Sequence, residues 1–271
     1  MKGDTMNTKA STGTIRRQKL GGIGHLIFDN PARRNAVSRD MVRQVPEVLA
    51  DFESDPDIRV VVVSGAGDKS FISGADISEF EKTRANAQVA KESSAASMAM
   101  FEGLREFSKP TVAKIRGYCF GGGVALACAC DLRIAADDAL FAIPAARLGI
   151  GYRATFTRWV TDAVGPANAK EILLTAQRYD ATEAFRIGLV HRVVPVAAFD
   201  EFADDYAGRI AENAPLSMQA TKVIVNQVAN GLGSADLDLC AGQVDQCSDS
   251  EDFIEGRRAF MEKRKPEFRG R

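Results

Sequence analysis

The spacing of apolar and polar residues changes repeatedly along the chain, and each change predicts an element. "GHLIFDN" (24–30) reads as a strand stopped by Pro31, and "SRDMVRQVPEVLADFESDPD" (38–57) as a helix with Ser38 at its N-cap and Pro46 interrupting its middle. "IRVVVVSGAG" (58–67) is a β-branched run closed by glycine turns, the pattern of a strand covered on both faces. "FISGADISEF" (71–80) follows, then an Ala/Ser-rich helical stretch to about Phe107 and the strand "TVAKIRG" introduced by Pro110. A triple-glycine turn, a short helix and the strand "LRIAA" (132–136) complete the alternation, which predicts an α/β domain with crossover connections. Beyond Pro195 the strand pattern stops. Four amphipathic stretches separated by Pro or Gly predict a helical C-terminal quarter. The expected organisation is a disordered leader (1–13), an α/β core (14–197) and a helical oligomerisation region (198–271).

Composition narrows the function class. A 271-residue chain with 45% hydrophobic and 26% charged residues is that of an ordinary globular protein able to bury a sizeable core. The net charge of −1 gives no bulk attraction to nucleic acid or to a membrane surface, so the expected partner is a small molecule. Five cysteines without a C-x-x-C pair read as free thiols of a cytoplasmic protein, and no metal site is expected. The N-terminal segment lacks the apolar stretch of an export signal, and no apolar run approaches the roughly 18 residues of a membrane span.

The chemistry concentrates in "GYCFGGGVALACACD" (117–131), where the most plausible active groups are backbone atoms. Glycines entering a helix let the main chain approach a ligand closely and aim unpaired N–H groups, with the positive end of the helix dipole, at it. The helix "GVALACAC" is apolar on every side and is therefore expected to be buried, so the Gly122 N–H can face a dry pocket. "FISGADI" (71–77) is a second strand-to-helix corner, where the Ser73 N–H is the expected second donor. Two such donors on one carbonyl oxygen form an oxyanion hole. Tight helix–sheet packing is the alternative account of the glycines. The patterns of phosphate-loop and dinucleotide turns are absent.

Together, "VVVSGAGDKSFISGADISEF", "KPTVAKIRGYCFGGGVALACACDLRIAADDALFAIPAARLGI", "AKEILLTAQRYDATEAFRIGLVHRVVP" and "RRAFMEKRKPEF" resemble the crotonase, or enoyl-CoA hydratase/isomerase, superfamily, in the same order and over nearly the whole chain from about Ile15. The resemblance implies a spiral of ββα units, a C-terminal helical region, and a homotrimer or dimer of trimers. It also implies an acyl-CoA substrate whose thioester carbonyl sits between the N–H groups of Ser73 and Gly122. Coenzyme A then enters as part of the substrate, with no tightly bound cofactor. Arg34 and Ala36 in "RRNAVS", Gly74, Ala75 and Asp76 at the first corner, and Phe260 and Lys263 in the last helix are the implied coenzyme A contacts. Asp76 has a second account as a brace for the following helix, and Lys263 one as a solvated helix end.

The chain departs from the hydratase pattern where proton transfer would occur. The two positions that carry glutamates in the hydratase are Ala125 and Ala145 here. Losing such groups typically lowers a rate by about 10²–10⁴-fold, so ordinary crotonyl-CoA hydration is not expected. Tyr152 in "LGIGYRATF" is a candidate proton donor, similar in place to the tyrosine of the methylmalonyl-CoA decarboxylase branch, although that branch has a histidine where this chain has Ala75. A rim tyrosine with a packing role is the alternative. Arg147 and Arg153 could hold a substrate carboxylate or could be plain loop arginines. His25 and His191 fall outside every pocket motif and are expected to be structural. The expected activity is that of a CoA-thioester lyase, with decarboxylation as a second reading and a catalytically silent CoA-binding protein as a third.

Overall fold

The computed structural model describes residues 13–76 and 87–271. The expected leader, except Gly13, and the expected continuation of the first corner from Ile77 onward lie outside them.

Two sheets share the strands, and their interleaving builds the site. The larger has six strands in the order β1 (Thr14–Leu20), β2 (Ile23–Asp29), β3 (Val60–Gly65), β5 (Thr111–Ile115), β7 (Leu132–Ala136) and β10 (Arg192–Val194), parallel except for the β1–β2 hairpin. The smaller has β4 (Ser70–Ile72), β6 (Tyr118–Phe120), β8 (Leu140–Ala142) and β9 (Tyr179–Asp180). In chain order a strand of the large sheet is followed by one of the small sheet and then by a helix. Thus β3 and β4 lead to α2 (Ala87–Arg105), β5 and β6 to α3 (Gly122–Ala129), and β7 and β8, through a 3-10 turn (Pro144–Leu148), to α4 (Ala154–Thr175). This is the expected ββα spiral.

Each successive unit lies beside the last, with β4, β6 and β8 pairing in parallel: Ile72 stands opposite Cys119, and Phe120 opposite Ala142. Parallel neighbours end at the same sheet edge. The exits after Ile72, Phe120 and Ala142 therefore stand side by side, although about fifty residues separate the first two in sequence.

Local sequence explains the elements that frame this edge. In β3, Val60 to Val63 are all buried because neighbouring strands and packed side chains cover both faces, as the continuous β-branched run predicts. Helix α1 (Arg39–Ser54) starts where Ser38 Oγ accepts the Met41 N–H, and runs through Pro46, which lies on its exposed face. Burial of Met41, Val45, Val48, Leu49 and Phe52 offsets the hydrogen bond that proline cannot make. In α3 every residue from Gly123 to Ala129 is buried, as its all-round apolar sequence requires.

The C-terminal helices are α6 (Phe199–Ala211), α7 (Pro215–Ala229), α8 (Leu237–Ser248) and α9 (Glu251–Glu262), preceded by the short α5 (Ala181–Arg186). Phe199, Ala203 and Ala207 seat α6 on the large sheet against Val60, Val112 and Ile134. Lys222 of α7 donates from a nearly buried Nζ to Asp131 (2.8 Å), whose carboxylate also accepts the Thr111 N–H and hydroxyl. In contrast, α8 has no buried residue and exposes Leu237, Leu239 and Val244. No helix of the described residues is long and apolar enough to cross a membrane.

Candidate active site

The aligned exits open onto a cleft of about 610 Å³. Its floor includes Ser73, Gly74, Ala75, Gly121, Gly122 and Ala145, one contribution from each turn of the spiral. Helix α2 supplies Ser93, Ser97, Met100 and Phe101, whose i, i+4, i+7 and i+8 spacing puts them on one helical face. Tyr152, Arg153 and Phe156 close the side formed by the start of α4.

The first corner corrects one expected donor. The Ser73 N–H bonds to the Arg34 carbonyl (3.2 Å), and the Ser73 hydroxyl to the Arg33 carbonyl (3.2 Å), so that amide is already committed to the turn beside it. Gly74 then takes φ +113°, a conformation few side-chain-bearing residues adopt, and turns its carbonyl onto the Val37 N–H (2.8 Å). A trans peptide is planar, with C=O and N–H pointing opposite ways. The N–H of the same unit, that of Ala75, therefore points away from Val37. Asp76 N–H returns to the Val37 carbonyl (3.0 Å), which clamps Ala75 between two fixed peptides.

At the second corner the Gly121 N–H donates to Ala142 (2.8 Å), while the Gly121 carbonyl accepts from Val124, Ala125 and the Tyr152 hydroxyl (3.1 Å). The same planarity turns the Gly122 N–H outward, and as the first residue of α3 it has no partner within the helix. The two corners face each other closely: an ideal Cβ on Gly122 would lie 3.9 Å from Gly74 Cα and 4.0 Å from the Ala75 nitrogen. Neither the Ala75 nor the Gly122 N–H has an acceptor among the described residues. Here two unpaired amides line one mostly apolar cleft, beside the positive end of a buried helix.

Residues 18–271 match the sequence profile of the Enoyl-CoA hydratase/isomerase family. The chain belongs to that family. It is 32% identical over 250 residues to the short-chain-enoyl-CoA hydratase of Clostridium acetobutylicum, covering 92% of this chain and 95% of that one. It is 34% identical over 256 residues to the carnitinyl-CoA dehydratase of Proteus mirabilis, covering 93% and 96%. An enoyl-CoA hydratase/isomerase family protein of Hyphomonas neptunium, solved by crystallography, superimposes with a TM-score of 0.90 at 35% identity, covering 97% of this chain and 100% of that one. The fold is therefore that of the crotonases, and the chain is similar throughout to enzymes named for CoA thioesters.

Among the other site residues expected in this family member, Gly74, Ala75 and Asp76 line the cleft. Asp76 is 8% exposed and pairs with Arg33 (2.5 Å), bracing the turn before α1. Arg34 and Ala36 do not line it: Arg34 is exposed, with its guanidinium 4.7 Å from the centre of the Tyr118 ring, and Ala36 is buried. Phe260, 82% exposed, and Lys263, the left-handed cap of α9, also stand apart from this cleft within one chain. Arg147 is exposed outside it, whereas Arg153 lines it and donates to Ser94 Oγ (2.5 Å) across its mouth.

Neither hydratase position supplies an acid. Ala125 is fully buried in α3, and Ala145 lines the cleft with a methyl group. His25 and His191 are outside the cleft; burial lowers the pKa of each, and His191 Nδ1 accepts the Arg133 N–H (3.0 Å). The five cysteines are free, and burial pushes the thiols of Cys119, Cys128 and Cys130 upward, Cys130 to about 12. Sequence reasoning passed over Glu92, an exposed carboxylate lining the cleft from α2. The serine–methionine face it adjoins was the available signal.

Proposed function

We propose that this protein binds an acyl-CoA thioester and stabilises the negative charge of its enolate with the N–H groups of Ala75 and Gly122, acting as a CoA-thioester lyase. The observation that carries the reading is a pair of amides, without an acceptor among the described residues, on facing corners of one cleft. As the thioester α-carbon gains an electron pair, charge moves to the carbonyl oxygen, and each such donor typically stabilises the transition state by about 2.7–4 kcal/mol. Coenzyme A is the carrier of the substrate. The protein is proposed to work in the cytoplasm.

Methyl groups at residues 125 and 145 favour a second reading within the same site, decarboxylation of a methylmalonyl-type CoA ester. There the bond from the α-carbon to the carboxylate breaks, its electron pair enters the enolate, carbon dioxide leaves, and the α-carbon takes a proton from solvent water, whose hydroxide is neutralised by bulk buffer. No base is needed to start this reaction. Incubation with crotonyl-CoA and with methylmalonyl-CoA, following enoyl absorbance and carbon dioxide, tests both readings. We expect slow or no hydration, and carbon dioxide release if the second reading holds. Hydration at rates typical of hydratases would overturn the role given to the two alanines. Thermal stabilisation by CoA esters with no product from a broad panel would instead mark a silent binder.

The exposed apolar residues of α8 and α9, Leu237, Val244, Ile254 and Phe260 among them, support a homotrimer or dimer of trimers, in which Phe260 and Lys263 could reach a neighbour's cleft. Sedimentation equilibrium is expected to give three or six times the 29.2 kDa of one chain; a monomer at micromolar concentration would refute this.

A further inference from the structure

We infer that Tyr152 is a positioning residue whose hydroxyl holds and polarises the Gly121–Gly122 peptide and thereby sets the strength of the Gly122 donor; this rests on the oxyanion pair proposed above. Gly121 has φ 54° and ψ −110° and carries no side chain to restrict rotation about its Cα–C bond, so other contacts must fix the orientation of the peptide that follows. Three hydrogen bonds to its carbonyl do. Two are the first bonds of α3, from Val124 (3.2 Å) and Ala125 (3.3 Å), and the third is the Tyr152 O–H at 3.1 Å.

The phenol comes from a separate segment, just before α4, and is anchored by packing. Its ring stands 5.8 Å from that of Phe156, which in turn contacts Phe101 (4.5 Å) and Trp159 (5.6 Å). A donor on an amide oxygen draws electron density through the planar unit, so the N–H on its far side becomes a better donor. Tyr152 thus acts on the substrate oxygen through a peptide. This arrangement also opposes its use as the proton source. A phenolate left after proton transfer would set an oxygen lone pair against the Gly121 carbonyl, and burial already pushes this hydroxyl well above the ordinary phenol range.

The test reads the bound thioester directly. An acyl-CoA labelled with ¹³C at its carbonyl is bound to the wild-type protein and to Tyr152→Phe, and the carbonyl stretch is recorded by difference infrared spectroscopy. Wild type is expected to lower the stretch relative to solution, and Tyr152→Phe to lose about a tenth to a quarter of that displacement, with kcat about two- to tenfold lower where a substrate is turned over. Affinity for a CoA thioether, which lacks the carbonyl oxygen, is expected to be unchanged. If Tyr152→Phe does not fold, 3,5-difluorotyrosine at the same position, a stronger donor, is expected to enlarge the displacement. An equal displacement in wild type and variant overturns the inference, as does loss of a limb of the pH–kcat profile in Tyr152→Phe, which would mark proton transfer. No displacement in wild type would instead overturn the oxyanion pair itself.

Discussion

Gly123→Ala is expected to destabilise the protein by at least about 3 kcal/mol and to lower kcat at least about 10²-fold in whatever remains folded. A Cβ at this position would fall on the Ile72 carbonyl oxygen, well inside the 3.0 Å that real Cβ atoms keep from such a neighbour. The obstacle is backbone, so no rotamer change relieves it. Either α3 lifts from the small sheet, or the chain after Ile72 moves and carries Ala75 away from Gly122. Urea denaturation and steady-state kinetics measure the two effects. The same substitution at Gly208, inside α6 with open space around it, is expected to stabilise by about 0.5–1 kcal/mol. Equal effects at the two positions would refute the claim that corner contact depends on a missing methyl group.

The second large effect is expected from changing a single backbone atom. Replacing Ala75 by lactic acid converts its amide to an ester and removes only the N–H. A fall in kcat of about 10²–10³ is expected, because that donor has no other partner among the described residues. The ester carbonyl of Gly74 accepts the Val37 N–H less well, which costs about 1 kcal/mol of stability. The corresponding ester at Ser73 removes the bond to the Arg34 carbonyl, so there the larger effect is expected in stability and the smaller in kcat. A reversed pattern, with Ser73 controlling kcat, would restore the donor expected from sequence and remove Ala75 from the site.

That two-residue difference shows where sequence reading stops. The large sheet was legible because its central strands are buried on both faces and therefore carry unbroken apolar runs such as Val60 to Val63. The small sheet was not, because Ser70–Ile72, Tyr118–Phe120 and Leu140–Ala142 are too short to establish a period; the family resemblance implied them instead. The edge strand Thr14–Leu20 escaped for another reason: "TIRRQKL" is nearly all exposed, and its charges discourage edge-to-edge pairing while disguising a strand. Both corners could be located from their glycines. Which amide at the first corner faces the cleft depends on the Gly74 dihedral, and no apolar pattern encodes a peptide's rotation. Tyr152 could be placed near the site but not joined to Gly121, since that contact depends on how the start of α4 folds back over the second corner.

Because both proposed charge-stabilising groups belong to the main chain, truncating the side chains that line the cleft removes neither of them. A conventional alanine scan would record lost stability at the buried Met100 and Phe101, yet would leave both donors in place. The same property leaves the lining free to vary in shape and polarity while the electrophilic centre stays fixed, so one scaffold can be recruited to new acyl groups through ordinary point mutations.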